Sequence, residues 1–157
     1  MYVLVSLLLA CDFTCSIRPG GKEYRGVTSS SDPGNSYIIR EFDKYPIETR
    51  IDIFLYAATC RKDPRFEPIL ALGGEPIIPN VIERIETEPR AWEKNQLMDV
   101  LIRINAKCKC VHSDSAIIPR LHRLGEKLMR ETSSTDATYE RMYLDKVSSL
   151  ENQLKSK

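Results

Sequence analysis

Between residues 47 and 154, apolar residues recur at intervals of three and four positions, the spacing that places them on one face of an α-helix. The pattern is clearest in two stretches: Ile47, Ile51, Phe54, Leu55 and Ala58, and Ile77, Ile78, Val81, Ile82 and Ile85. Alternation at every second residue, which would indicate half-buried strands, is weak throughout. The spacing therefore predicts an all-α fold.

Residues that start or stop helices divide this pattern into segments. Pro46 suits the first turn of one helix, Asp63-Pro64 marks a start, and Gly73-Gly74 marks an end. Later apolar faces predict further helices around residues 92–104, 117–128 and 139–154. We expect residues 36–157 to form a single α-helical domain, with a C-terminal helix at about 135–155 that packs within the chain.

The segments EPIIPNV (75–81) and SAIIPRL (115–121) share Ile-Ile-Pro at a spacing of forty residues. In both, the proline falls near the first helical turn, where its missing N–H costs least. This period, with the run from Leu72-Gly73 through the first tripeptide to Ile85, resembles the junction between paired helices in HEAT-type repeats. The resemblance implies antiparallel helix pairs in a short right-handed α-solenoid. An irregular helical bundle with a chance tripeptide match is the alternative.

The segment before this domain has a different character. Residues 12–35 read DFTCSIRPGGKEYRGVTSSSDPGN, in which Gly, Ser and Pro dominate and no apolar periodicity is present. Such a segment cannot bury enough apolar surface to offset the entropy lost on ordering. We therefore expect residues 11–35 to form a flexible tether with an end-to-end distance of roughly 25–30 Å.

The chain opens with an apolar run at residues 1–10, MYVLVSLLLA, which stops at Cys11. It is shorter than the roughly 20 residues that a membrane-spanning helix needs, and it is similar to the hydrophobic part of a secretory signal peptide. Leu8-Leu9-Ala10-Cys11 resembles a bacterial lipobox. This resemblance implies cleavage after Ala10, a diacylglycerol on the Cys11 sulfur, and a lipid-anchored protein on the periplasmic side of the cell membrane. A cytoplasmic protein is the alternative.

Four further cysteines are disulfide candidates, because exported proteins usually hold their cysteines oxidised: Cys15, Cys60, Cys108 and Cys110. We do not expect Cys108 and Cys110 to pair with each other, since a bridge across so short a loop is strained. Cys60 is a candidate partner for either of them. Cys15 would then take the remaining cysteine or have no partner.

A metal site is the alternative use of these residues. Cys60, Cys108, Cys110 and His112 offer three sulfurs and one nitrogen, a ligand set that suits Zn²⁺. The corresponding function is that of a small metal- or thiol-dependent protein. With the cysteines in disulfides, no cofactor is expected.

The net charge and the absence of known catalytic motifs argue against several classes of function. The 23 basic residues nearly balance the 22 acidic ones, so the excess charge typical of nucleic-acid-binding proteins is missing. Sequence motifs for nucleophilic, phosphate-binding and zinc-protease sites are absent, and we predict no catalytic residues. The chain is therefore expected to bind another protein, to contact the membrane through its lipid anchor alone, and to have no enzymatic activity.

Four residues are predicted to anchor that protein partner, because Trp and Arg dominate the binding energy of interfaces: Arg84, Trp92, Arg103 and Arg120. The pattern does not specify an oligomeric state. A membrane-anchored antitoxin (immunity) role is consistent with a small exported helical protein, by analogy of fold and location.

Overall fold

The computed structural model describes residues 15–28, 41–113, 116–132 and 137–155. These residues form seven α-helices and no strand, which confirms the all-α prediction. The helices are α1 (Gly21–Thr28), α2 (Ile47–Tyr56), α3 (Phe66–Ala71), α4 (Ile78–Thr87), α5 (Ala91–Cys108), α6 (Ile117–Glu131) and α7 (Thr138–Lys155). Short helical turns lie between them at Phe42–Lys44, Ala57–Arg61, Glu75–Ile77 and Cys110–Ser113.

The chain divides into two compact units, residues 1–66 and 67–157. We predicted instead a single domain over residues 36–157. Residues 41–66 belong instead with α1, because they share a core with it: Val27 of α1 and Phe42, Phe54 and Phe66 are all buried. The apolar run at residues 1–10, Cys11, residues 12–14 and 29–35 of the predicted tether, and residues 36–40 of the predicted helical domain lie outside the described residues.

The N-terminal unit is built around aromatic rings. Tyr24 of α1 lies 5.3 Å from the Tyr56 ring and 5.4 Å from the Phe66 ring, between ring centroids. Phe42 meets Phe66 edge-on at 5.6 Å. Such aromatic pairs bury large apolar areas and add attraction through their ring quadrupoles. These ring contacts explain how the short helix α1 packs stably against α2.

Residues 15–28, which we predicted to be part of a flexible tether, include helix α1 and a disulfide. Cys15 is disulfide-bonded to Cys60, with their Cα atoms 5.7 Å apart. Gly20 has a φ of 82° and lies directly on the backbone of Asp52, a position with no room for a side chain. The glycines that suggested flexibility therefore permit close packing, and a covalent bond reduces the entropy cost of ordering the segment.

In the C-terminal unit, α5 packs against both α4 and α7, and α6 packs against α7. The residues that fill the core are fully or almost fully buried: Val81, Ile85, Leu97, Met98, Leu101, Ile104, Leu121, Tyr143, Val147 and Leu150. Nearly all of them belong to the apolar faces that the spacing predicted. The last three lie on α7, so the C-terminal helix packs within the chain, as predicted.

Polar contacts fix α7 along α5. The Asn95 side-chain amide donates to the Tyr139 carbonyl oxygen at 2.8 Å, and Asn95 is itself fully buried. Lys146 donates to the Asp99 carboxylate at 2.6 Å and to the Asn95 carbonyl oxygen at 3.1 Å. Hydrogen bonds to buried groups are costly to lose, so these contacts set the register between the two helices.

Candidate functional site

A cleft of about 420 Å³ lies between α4 and α6 in the C-terminal unit. We call it the acid-rimmed cleft, and its lining residues come from both helices and from the turns before them: Glu75, Ile78, Pro79, Ile82, Glu83, Glu86, Cys110, Ile117 and Arg120. Its volume is within the range of about 300–1,000 Å³ that is usual for ligand pockets.

The apolar part of the cleft comes from the two helix N-termini. Ile78 and Pro79 open α4, Ile82 follows one turn later, and Ile117 opens α6. Residues four apart lie on the same helical face, so Ile78 and Ile82 line one apolar strip of the cleft wall, of which at most 5 % of each side chain is exposed. The repeated Ile-Ile-Pro tripeptides thus stand at the two walls of the same cleft.

Carboxylates surround this apolar strip. Glu75 and Glu83 are exposed, and neither forms an ion pair within the described part of the chain. Glu86 is different, because Arg120 of α6 reaches across and donates to both of its oxygens, at 3.0 and 2.8 Å. Two carboxylates therefore remain without a countercharge, and the cleft favours a ligand that combines apolar and cationic groups.

Cys110 lines the cleft and is disulfide-bonded to Cys108. We expected these two cysteines not to pair with each other, whereas the structure brings their sulfurs to disulfide distance. Lys109 between them adopts a left-handed conformation with a φ of 52°, which folds the chain back and brings the two Cα atoms to 5.1 Å. The α5 C-terminus supplies this reversal, since helices commonly end in a left-handed residue.

The alternative four-ligand zinc set would require free thiolates from its three cysteines. Cys60 is bonded to Cys15, and Cys108 is bonded to Cys110, so no free thiolate of these cysteines remains to bind a metal. The side chain of His112 lies outside the described residues. Among the side chains that the structure describes, no group of three or more His, Cys, Asp or Glu has the geometry of a metal site.

The four predicted anchor residues are not brought together at one site. Arg120 lines the cleft, Arg103 is paired with Glu67 at 2.7 Å, and Arg84 is paired with Glu88 at 3.4 Å. Trp92 is half-buried, with its ring edge-on to Tyr139 at 5.6 Å. Each side chain thus contacts its own chain, and only Arg120 contributes to the candidate site.

Most of the cleft residues were not predicted as site residues, although the sequence contains a pattern that includes them. Ile78, Pro79 and Ile117 belong to the repeated tripeptides, which we interpreted as helix starts and as a sign of HEAT-like repeats, not as binding residues. Glu75 and Glu83 flank the first tripeptide at positions that face the same side as Ile78 and Ile82. The pattern that indicates the acid-rimmed cleft is therefore a repeated Ile-Ile-Pro tripeptide with acidic residues beside its first copy.

A cluster of charged groups is buried at the turn from α4 to α5. Glu88, Glu93 and Lys94 are at most 6 % exposed. Burial, followed by the hydrogen bond and the repulsion from Glu93, raises the pKa of the Glu88 carboxyl, while Arg84 opposes the rise. Burial also lowers the pKa of Lys94, whose ammonium donates to the Ile85 carbonyl oxygen. These groups lie outside the cleft lining, and their contacts fix the turn.

None of the helices in the described segments is long and apolar enough to cross a membrane. A family-model scan, a search of curated proteins and a search of solved structures all returned no match for this chain.

Proposed function

We propose that this chain is a lipid-anchored, periplasmic helical protein that binds a segment of another protein in the acid-rimmed cleft. The observation that carries the proposal is an apolar strip between two helices, bordered by the unpaired carboxylates Glu75 and Glu83. A bound segment would insert one or two aliphatic or aromatic side chains against Ile78 and Ile82 and place Lys or Arg beside the carboxylates. Hydrophobic burial would supply affinity, and charge complementarity would supply selectivity.

The proposed anchor is Cys11, acylated after cleavage behind Ala10. Its support is the lipobox resemblance of Leu8-Leu9-Ala10-Cys11, together with a disulfide between Cys15 and Cys60. Long-range structural disulfides are typical of oxidising compartments such as the periplasm. The same bond makes a cytoplasmic location the weaker alternative.

We propose, further, that the helix pairs α4–α5 and α6–α7 are two HEAT-like repeats. The support is that the helices of each pair contact one another, that α5 contacts α7, and that Arg120 of α6 bonds to Glu86 of α4. The first helix of each pair begins at an Ile-Ile-Pro tripeptide. An immunity-like role would follow if the bound segment belonged to a toxin, an analogy of location and fold.

The cleft is tested with a phage-displayed library of random peptides, selected on the purified chain with its disulfides intact. We expect enriched peptides to combine apolar residues with flanking Lys or Arg. An enriched peptide is then measured by fluorescence anisotropy against Glu75→Lys/Glu83→Lys, which should weaken binding at least tenfold. A matched control, Asp43→Lys/Glu126→Lys, makes the same charge change at exposed positions outside the cleft.

Equal losses in the cleft variant and the control would mean that net charge, not the cleft, attracts the peptide. A peptide with its Lys and Arg residues changed to Glu should bind more weakly than the original. If both peptides bind equally, the acid rim has no role and the proposal is wrong.

The anchor is tested by mass spectrometry of the chain recovered from membranes of a bacterium that expresses it. The expected species begins at Cys11 and carries added acyl chains, and Cys11→Ser abolishes that species. Recovery of intact Met1 in the soluble fraction would contradict the proposed location, while leaving the peptide-binding result unaffected.

A further inference from the structure

The N-terminal unit contains a second cleft, of about 520 Å³, between α1 and the loop that follows α2. We call it the basic cleft, and its lining residues are Tyr24, Arg25, Thr28, Arg61, Lys62, Asp63, Pro64 and Arg65. Four of these are cations and one is an anion. The cleft therefore carries a net positive charge of three, in a chain whose total charge is +1.

The loop that carries most of these cations is held firmly. Asp63 is 8 % exposed, and its carboxylate accepts from the Arg65 guanidinium at 2.7 Å and from the Tyr24 hydroxyl at 3.2 Å. The guanidinium of Arg65 holds the pKa of Asp63 below its ordinary value, so this carboxylate stays charged and neutralises Arg65. The rigid loop presents the remaining cations at fixed positions.

Three further cations lie at the mouth of the basic cleft. Arg25, Arg61 and Lys62 are exposed, and Arg61 lies over the Tyr56 ring at 5.8 Å. Lys62 has a left-handed backbone, with a φ of 54°, at the point where the helical turn Ala57–Arg61 ends. Two elements thus place positive charge at one opening, an arrangement that suits a phosphate group.

The position of this cleft relative to the chain start points to the source of that phosphate. Arg61 and Lys62 directly follow Cys60, which is bonded to Cys15. Cys15 is four positions after Cys11, and four positions of fully extended chain span at most about 14 Å between Cα atoms. If Cys11 is acylated, which is part of the proposed function, this short chain and the 5.7 Å between the Cα atoms of Cys15 and Cys60 keep Cys60, and so the start of the basic loop, close to the membrane surface.

We propose that the basic cleft binds the phosphate headgroup of an anionic phospholipid. The lipid chains on Cys11 supply attachment, and Arg25, Arg61 and Lys62 fix which side of the N-terminal unit faces the bilayer. Basic side chains beside a lipid anchor are a general second signal for membrane binding. The proposal adds a direct lipid contact to the expected contact through the anchor alone.

The test uses the full chain carrying Cys11→Ser, so that no acyl chain contributes. Cosedimentation is measured with vesicles of phosphatidylglycerol mixed with phosphatidylcholine, and with vesicles of phosphatidylcholine alone. We expect binding to the anionic vesicles only. Arg25→Gln/Arg61→Gln/Lys62→Gln should lower the partition coefficient about 100-fold, since each cation near an anionic surface contributes about fivefold.

The matched control is Lys107→Gln/Arg123→Gln/Arg130→Gln, which removes three exposed cations of the C-terminal unit. Equal losses in the two triple variants, or equal binding to both kinds of vesicle, would overturn the proposal. Displacement by inorganic phosphate at matched ionic strength would overturn the assignment to lipid and identify a free phosphate as the ligand. Circular dichroism establishes that the variants remain folded.

This experiment separates the lipid contact from the anchor. Binding of the Cys11→Ser chain to anionic vesicles, together with an unacylated Cys11 in the wild-type chain, would support the basic cleft and contradict the anchor. If Cys11 is acylated but the Cys11→Ser chain shows no preference for anionic vesicles, the anchor is supported and the lipid contact of the basic cleft is contradicted.

Discussion

The acid-rimmed cleft and the basic cleft are of similar size and opposite chemistry. The cleft of the C-terminal unit has an apolar strip and the unpaired carboxylates Glu75 and Glu83, whereas that of the N-terminal unit has Arg25, Arg61 and Lys62 at its mouth. Because the two clefts carry opposite charges, they are compatible with the net charge of only +1 on the whole chain. A balanced composition therefore excludes one large charged surface but does not exclude two smaller ones.

The two units also differ in what stabilises them. The N-terminal unit depends on a disulfide between residues 45 apart and on a glycine that contacts backbone, while the C-terminal unit depends on long amphipathic helices. Cross-links of this kind add most to stability where the apolar core is small. The same kind of substitution should therefore lower the free energy of unfolding of the N-terminal unit more than that of the C-terminal unit.

The largest expected effect comes from the disulfides. Cys15→Ser/Cys60→Ser should lower the free energy of unfolding of the N-terminal unit by about 4 kcal/mol, because its loop closes 45 residues. Cys108→Ser/Cys110→Ser opens a loop of two residues and should cost about 1 kcal/mol. Hydrogen exchange followed by mass spectrometry reports each unit separately. Equal protection losses in both units would refute this difference.

The next effect concerns two glycines within the N-terminal unit. Gly20→Ala should cost at least about 2 kcal/mol, since the new methyl group meets the Asp52 backbone at a positive φ. Gly26→Ala is the control, because its nearest neighbour, the Tyr45 hydroxyl, lies 3.5 Å from the new atom. That change should be neutral or stabilise the helix by about 1 kcal/mol. Thermal unfolding compares the two, and a stable Gly20→Ala chain would contradict the tight contact.

A smaller effect distinguishes the ion pair in each cleft. Arg65→Ala leaves the carboxylate of Asp63 buried without its main partner and should cost about 1–3 kcal/mol. Arg120→Ala removes a pair whose side chains are 41 % and 35 % exposed, so solvent screening limits the cost to about 0.5 kcal/mol. Urea unfolding monitored in each unit measures both costs. A larger loss for Arg120→Ala would show that its pair is a structural part of the C-terminal unit.

The smallest effect is a difference in pH dependence. The pKa of Glu88 is raised above its ordinary value of 4.5, chiefly by burial, so the folded C-terminal unit binds a proton more readily than the unfolded chain. This group's contribution to stability therefore declines as pH rises from about 4.5 through the raised pKa. The pKa of Asp63 is lowered by Arg65, so its contribution declines as pH falls below about 3.8.

Two variants isolate these contributions. Glu88→Gln should flatten the pH dependence of hydrogen-exchange protection in the C-terminal unit above pH 4.5, and Asp63→Asn should flatten it in the N-terminal unit below pH 3.8. An unchanged slope in either variant would assign the pH dependence of that unit to other groups.

The sequence predicts the helices of the C-terminal unit well because their stability is encoded locally. Ile85 and Leu101 each recur with neighbours at helical spacing, and burial of such a face requires only another helix. The position of the proline in the first turn of α4 was likewise readable from the residue type.

The N-terminal unit was not predicted because its stability comes from distant partners. Helix α1 is short and polar on average, and it is held by Cys60, Tyr56 and Phe66, which lie more than thirty residues away along the chain. No local pattern encodes such contacts. The disulfide between Cys108 and Cys110 was missed for a related reason, since it depends on the left-handed backbone of Lys109.

The candidate sites show the same difference between features encoded locally and features that depend on distant residues. Arg120 was identified from residue type alone, yet the carboxylates and isoleucines beside it come together only when α4 and α6 are adjacent. The basic cleft joins residues of α1 to a loop after α2, and composition placed α1 in a tether. A site shared by two elements requires their packing to be known.

The disulfide between Cys15 and Cys60 also has a consequence for timing. A newly made chain in a reducing cytoplasm lacks this bond, so its N-terminal unit forgoes about 4 kcal/mol of stabilisation until it meets an oxidant. The stability of the N-terminal unit therefore depends on whether its surroundings are oxidising or reducing.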